Sequence, residues 1–215
     1  MLGEHDPLYV VARRVLLDAL DALGPHRSAC VLVGAQAVYL HTGAADIAVP
    51  EYTTDADLAL DPRRLGPTPL LAERLLSAGF RASQNPGTWI GASDVEVDLM
   101  VPEALGGGGR RGARLPPHGN SVARKAKGLE GALVDRSDFT IGSLEPEVDA
   151  RAMVVSVAGP AALLVAKLHK IADRATSTAA ATRMRSTSCG SSGPCQRRPL
   201  LPRSRNLRAM LSARP

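Results

Sequence analysis

Two short segments, TTDADLAL (residues 53–60) and VEVDLMV (residues 95–101), alternate acidic and apolar side chains with a period of two. A helix of 3.6 residues per turn scatters such a pattern around its circumference. A strand sorts it onto two faces. In the first segment Asp55, Asp57 and Ala59 share one face, and Ala56, Leu58 and Leu60 share the other. In the second, Val95, Val97, Leu99 and Val101 oppose Glu96, Asp98 and Met100. The chain must therefore build a sheet with one apolar face and with carboxylates on the opposite face.

The uninterrupted apolar run Cys30–Val33 reads as a buried strand, Trp89-Ile90 as the start of another, and RAMVVSVA (residues 151–158) as one more. Helical spacing marks residues 7–23, with Asp6 as N-cap, Pro7 in the first turn and Gly24-Pro25 as the stop. Its expected buried face is Leu8, Val11, Ala12, Val15, Leu16, Ala19 and Leu23. Further helices are expected from Ala35 to Leu40, from Pro69 to Ala78, and from Gly159-Pro160 to about Arg174, the last with Leu164, Leu168 and Ile171 on its apolar face. Residues 41–52 and the glycine-rich stretch 103–121 read as loops, the latter mobile. The order of elements predicts an α/β (α+β) fold, a small mixed sheet flanked by helices. With aromatics at 3% the core is aliphatic.

The 215 residues suit one domain and an appendage. Three cysteines, Cys30, Cys189 and Cys195, make no disulfide framework and no C-x-x-C pair. The apolar stretch 154–166 is too short to span a bilayer, and the N-terminus lacks a signal pattern. Secreted, transmembrane and zinc-finger classes are excluded on this reading, and a cytoplasmic location without membrane partners is expected. The net charge of +5 is unevenly placed. Residues 1–174 hold 18 Lys+Arg against 21 Asp+Glu, whereas residues 175–215 carry eight arginines and no acid. Residues 1–174 are therefore expected to form the domain, followed by an Arg/Ser/Pro-rich tail over 175–215.

If the two acid-bearing strands are neighbours, Asp55, Asp57 and Asp98 converge. Three anions at close range repel, and a divalent cation resolves that cost. Mg²⁺ (or Mn²⁺) prefers such oxygen ligands together with substrate phosphates. Glu96 shares the face of Asp98 and is the alternative third ligand. Gly34, between an apolar strand and a helix, lets backbone N–H groups approach a phosphate.

A strand ending in Gly, a helix, Thr-Thr-Asp-Ala-Asp-Leu and a later Val-Asp-Leu-Met together resemble the nucleotidyltransferase fold of the polymerase-beta superfamily. VLVGAQAV and TTDADLAL are most similar to its AbiEii-like branch, the toxins of type IV toxin–antitoxin systems. The resemblance covers roughly residues 8–174. It implies metal binding and catalysis by Asp55, Asp57 and Asp98, with Asp98 holding metal or accepting the acceptor hydroxyl's proton. It implies that Gly34 and Ala35 hold the triphosphate and that Lys167, in KLHKIADR, contacts the nucleotide. The substrates would be a nucleoside triphosphate and an RNA, protein or small-molecule acceptor, with a possible cognate antitoxin as partner. Two departures stand out: Ala35 replaces the second Gly or Ser, and the gap from Gly34 to Asp55 is long.

Each of these residues also has an ordinary reading. Lys167, Lys170 and Arg174 match a solvated helix face, the cluster Arg110, Arg111, Arg114, Arg124, Lys125 and Lys127 a solvated loop or a polyanion-steering patch, and His41, His118 and His169 structural positions. The tail admits a frameshift. Residues 177–195 can be encoded so that reading one base earlier yields VDRRRDKDALDVLRLLRAV, an amphipathic helix similar to the one that follows the Lys/Arg helix in the family. That event predicts apolar surface left uncovered and a tail disordered or weakly helical. Two functional alternatives follow, a catalytically impaired nucleotide-binding remnant and a nucleic-acid binder acting through the basic tail.

Overall fold

The computed structural model describes residues 5–43 and 53–187, with side chains up to residue 175. It divides into two units, Met1–Ala175 and Thr176–Pro215. In chain order the elements are α1 (Pro7–Leu23), β1 (Cys30–Val33), α2 (Gly34–Thr42), β2 (Asp55–Leu60), α3 (Leu71–Ser77), β3 (Arg81–Ala82), β4 (Thr88–Ile90), β5 (Glu96–Pro102), β6 (Arg124–Ala126), β7 (Arg136–Gly142), β8 (Ala152–Ala158) and α4 (Pro160–Thr187). The expected loop 41–52 lies mostly outside the described residues, as do Cys189 and Cys195.

Among the described residues, eight strands form one mixed sheet in the order β3-β4-β5-β2-β1-β8-β7, with β6 also beside β5. β2 runs antiparallel to β1 and parallel to β5. The predicted mixed sheet flanked by helices is what the chain forms. Residues of one parity, Leu32, Leu58, Val97, Leu99 and Val157, pack under α1 and α3 into the main aliphatic core. Those of the other parity, Val31, Val33, Ala59, Met100 and Ala158, meet Leu129, Ala132, Leu133 and Ala162 in a smaller cluster. A fully buried leucine contributes about 1.5–3 kcal/mol, so the first layer carries most of the stability.

α1 starts where the sequence places it: Asp6 Oδ1 accepts from the Leu8 amide at 2.8 Å. Its buried face is wider than expected. Leu17 and Leu20 are fully buried and Leu8 is exposed. α3 packs alongside α1 and covers a second flank that periodicity alone does not reveal.

Three strands, β3, β6 and β7, fall where no strand was expected. β7 carries a readable alternation, Phe139 and Ile141 against Asp138 and Thr140. The stretch 103–121 is folded back on itself. Ala113 N donates to Ala123 O at 2.9 Å, and Ala113 and Leu115 are buried.

α4 opens at Gly159-Pro160, where Asp135 Oδ2 accepts from the Ala162 amide at 3.1 Å. It then runs to Thr187 instead of closing near Arg174. Its expected apolar face is not buried: Leu164, Leu168 and Ile171 are 61%, 56% and 53% exposed. The opposite face packs on the smaller cluster through Ala162, Leu163 and Ala166, while Leu164, Leu168 and Ile171 stay mostly exposed among the described residues.

Candidate functional site

β1 delivers the chain to Gly34, the first residue of α2, at φ +72°. Val33 pairs with Asp57 across β1 and β2, and Asp57 pairs with Asp98 across β2 and β5. Two register positions away, on the same face, Asp55 pairs with Glu96. Four carboxylate side chains therefore share one face at one end of the sheet, beyond the edge of the smaller apolar cluster. The glycine corner stands directly against this block. A Cβ built on Gly34 would lie 2.1 Å from Asp57 Oδ2. Glycine is therefore required twice over, for its backbone angle and for space.

The four acids have different surroundings. Asp57 is half-buried, and its carboxylate accepts no hydrogen bond among the described residues. Burial, followed by repulsion from Asp55 and Asp98, raises its pKa from 3.8 to about 6, although Lys170 and Arg124 pull the other way. Asp98 is held on both oxygens. Thr88 Oγ1 donates to Oδ1 at 2.7 Å, and Arg124 donates to Oδ2 through Nη2 at 2.7 Å and Nε at 3.2 Å. Asp55 lies at the exposed edge, and its Oδ1 accepts from Thr53 Oγ1. Glu96 is exposed on the wall of the adjoining cleft.

A buried polar relay fixes the start of β2. Gln36, on α2, donates to the carbonyls of Asp55 at 3.2 Å and Ala12 at 3.3 Å. Its own Oε1 accepts from Arg13 Nε at 3.0 Å. The backbone of Asp55 is thus tied to α1 and α2 through the buried side chains of Gln36 and Arg13.

The other expected residues fall as follows. Ala35 occupies the second position of α2, half-buried beside Gly34. Lys167 is exposed on α4, and the α4 cation whose field reaches Asp57 is Lys170. α4 is seated by His169, which packs so closely on Gly128 that a Cβ there would lie 2.4 Å from the ring. His118 accepts from the Leu71 amide and contacts Gly66 O, and His41 contacts Ala158 O, so both hold backbone. Burial pushes the Cys30 thiol up to about 12, which removes it as a nucleophile.

Arg124, Thr88 and Gln36 were not singled out by sequence. Arg124 stood in a basic cluster with no mark of its own. Its approach to Asp98 depends on the parallel pairing of β6 with β5, a nonlocal event.

Among the described residues, no group of three or more Asp, Glu, His or Cys side chains is drawn together closely enough to hold a metal ion. The reason is electrostatic. With like charges crowded on one face, Asp98 turns to Arg124 and Asp55 to Thr53. The donor set is nevertheless oxygen-only, and its four carboxylates exceed the charge of Arg124 and Lys170. That chemistry fits a hard divalent cation.

A family model for nucleotidyltransferases matches residues 13–187. The chain belongs to the nucleotidyltransferase family. The match runs from within α1 to the last residue of α4 and takes in all eight described strands. No curated protein and no solved structure matches the chain significantly. No described helix is long and apolar enough to cross a membrane.

Proposed function

We propose that the chain transfers a nucleoside monophosphate from a nucleoside triphosphate to an acceptor hydroxyl in a reaction that depends on a divalent cation. The observation that carries the reading is the packing of Gly34 against Asp57, with Asp98 as the neighbour on the far side. The acceptor oxygen forms a bond to the α-phosphorus, the bond to the bridging oxygen breaks, and pyrophosphate leaves. The hydroxyl proton passes to a carboxylate of the site or to solvent.

The residues divide the work by position. The backbone at Gly34 and Ala35 lies where the phosphate chain meets the start of α2, and no side chain blocks the approach. Lys170 and Lys167 on α4 add positive charge on that flank. Asp55, Asp57 and Asp98 would hold the cation. When bound, a divalent cation neutralises charge on the reacting phosphate and on these acids. Asp98 would exchange its contact with Arg124 for this role, leaving the guanidinium free to face a phosphate oxygen.

The AbiEii-like character of VLVGAQAV and TTDADLAL supports a toxin role in the cytoplasm with a cognate antitoxin. Growth arrest on induction, relieved by the neighbouring gene and absent in Asp57→Asn, tests that role. The transfer itself is tested by incorporation of label from an α-phosphate-labelled triphosphate, with and without Mg²⁺. Incorporation that persists in chelator overturns the metal-dependent reading.

A further inference from the structure

The acid pair separates two unlike flanks of the sheet. On the β1 side lies the glycine corner, and on the other side of β5 lie β4 and β6. A cleft of about 470 Å³ opens there from Asp98, Glu96 and Thr88 past Arg124 to Arg111. A second cleft of about 570 Å³ continues outward along Arg110, Asn120 and Ser121, and the two share Arg111 and Pro86.

Arg110 and Arg111 are exposed, and neither guanidinium makes an ion pair or a hydrogen bond among the described residues. Their backbone is nonetheless fixed. Lys125 N donates to Arg111 O at 2.8 Å, Gly112 bridges to Arg124, and a Cβ on Gly112 would overlap Asn120 O. Lys125 spends its ammonium on the carbonyls of Gly107 and Gly109, which leaves its charge without an anionic partner. The groove is thus cationic along its outer length and acidic only at its inner end. Neither cleft has an aromatic lining residue on which a base could stack.

We propose that this groove is the acceptor subsite, and that it binds the phosphodiester backbone of a single-stranded nucleic acid through Arg110 and Arg111. A run of evenly spaced anions matches a run of unpaired cations, and the missing rings make the contact one with phosphates, not bases. In-line displacement needs attacking and leaving oxygens on opposite sides of phosphorus. With the triphosphate at the Gly34 corner, the acceptor enters from the arginine side. The word acceptor rests on the transferase reading, but binding by the groove does not.

The test is equilibrium binding of the full chain to a labelled single-stranded RNA of about 20 nucleotides across a salt series. R110A/R111A is compared with R203A/R205A, which removes the same charge from the tail. The proposal expects R110A/R111A to lose about tenfold or more in RNA affinity and to flatten the salt dependence by about 1.4 log units per log unit of salt. R203A/R205A then loses much less, and ATP and GTP affinities stay within about twofold of wild type in both variants. Equal losses in both variants, or no binding by the wild type, overturn the subsite. Loss of nucleotide affinity alone in R110A/R111A also overturns it and assigns the arginines to the triphosphate. An absence of turnover alongside the expected binding pattern counts against the transferase reading only.

Discussion

Gly34 and Asp57 compete for one space: any side chain at residue 34 would overlap the Asp57 carboxylate, and the backbone there already lies in the left-handed region. Gly34→Ala therefore has to move the acid or the corner. The expected cost is about 1–3 kcal/mol of stability from backbone strain and crowding. A displacement of this kind is also expected to lower transfer by about 100-fold or more. Urea denaturation and the labelled-nucleotide assay read the two effects separately. An alanine variant with wild-type activity removes the corner from the mechanism.

The Asp57 carboxyl is held at about 6, above its ordinary 3.8. Between these values the folded chain binds a proton that the unfolded chain has already released. Stability therefore falls as pH rises through this window, by at most about 3 kcal/mol, and stays at the lower level above it. Asp57→Asn is expected to abolish this slope and to be more stable than wild type at neutral pH, while losing activity. Thermal melts at several pH values check the sign. Mg²⁺ competes with the same proton, so its affinity is expected to rise as pH passes through about 6.

Arg124 pairs with Asp98 at 2.7 Å, so in the proposed site it competes with a cation for that carboxylate. Arg124→Gln is expected to release that carboxylate and tighten Mn²⁺ binding by about 3–10-fold, since about 1.4 kcal/mol is a factor of ten. Transfer is expected to fall, because in the proposed reaction the freed guanidinium would face a phosphate oxygen. Mn²⁺ titration followed by electron paramagnetic resonance measures the first effect, and weaker binding in the variant contradicts the competition.

The outer face of α4 shows Leu164, Val165, Leu168 and Ile171 to solvent. Leu164→Gln with Leu168→Gln is expected to change stability by less than about 0.5 kcal/mol. It is also expected to reduce self-association, measured by light scattering across a concentration series. A loss of several kcal/mol means that the face is covered. The same exposure is what a frameshift near residue 177 would leave behind, and genomic DNA read across codons 174–196 tests that origin.

Much of this site was legible because its signals are local. Period-two alternation placed Asp55, Asp57 and Asp98 on strands, and the break after Val33 placed Gly34 at a strand-to-helix corner. The neighbours of these residues were not legible. Arg124 reaches Asp98, 26 residues away in sequence, only through the three-residue strand β6. Gln36 looks like an ordinary helix residue until α1 buries it. The amphipathic pattern of α4 was read correctly as a helix, but the spacing of Leu164, Leu168 and Ile171 shows only that they share a face. What covers that face depends on other parts of the chain.

The most direct test is label transfer from an α-phosphate-labelled triphosphate to total RNA by the full chain, with Mg²⁺ or with chelator, for wild type, Asp55→Ala and Asp57→Asn. The account predicts Mg²⁺-dependent labelling by wild type and loss of at least about 100-fold in both variants, with folding intact by circular dichroism. Labelling that survives in Asp57→Asn, or that ignores Mg²⁺, contradicts it.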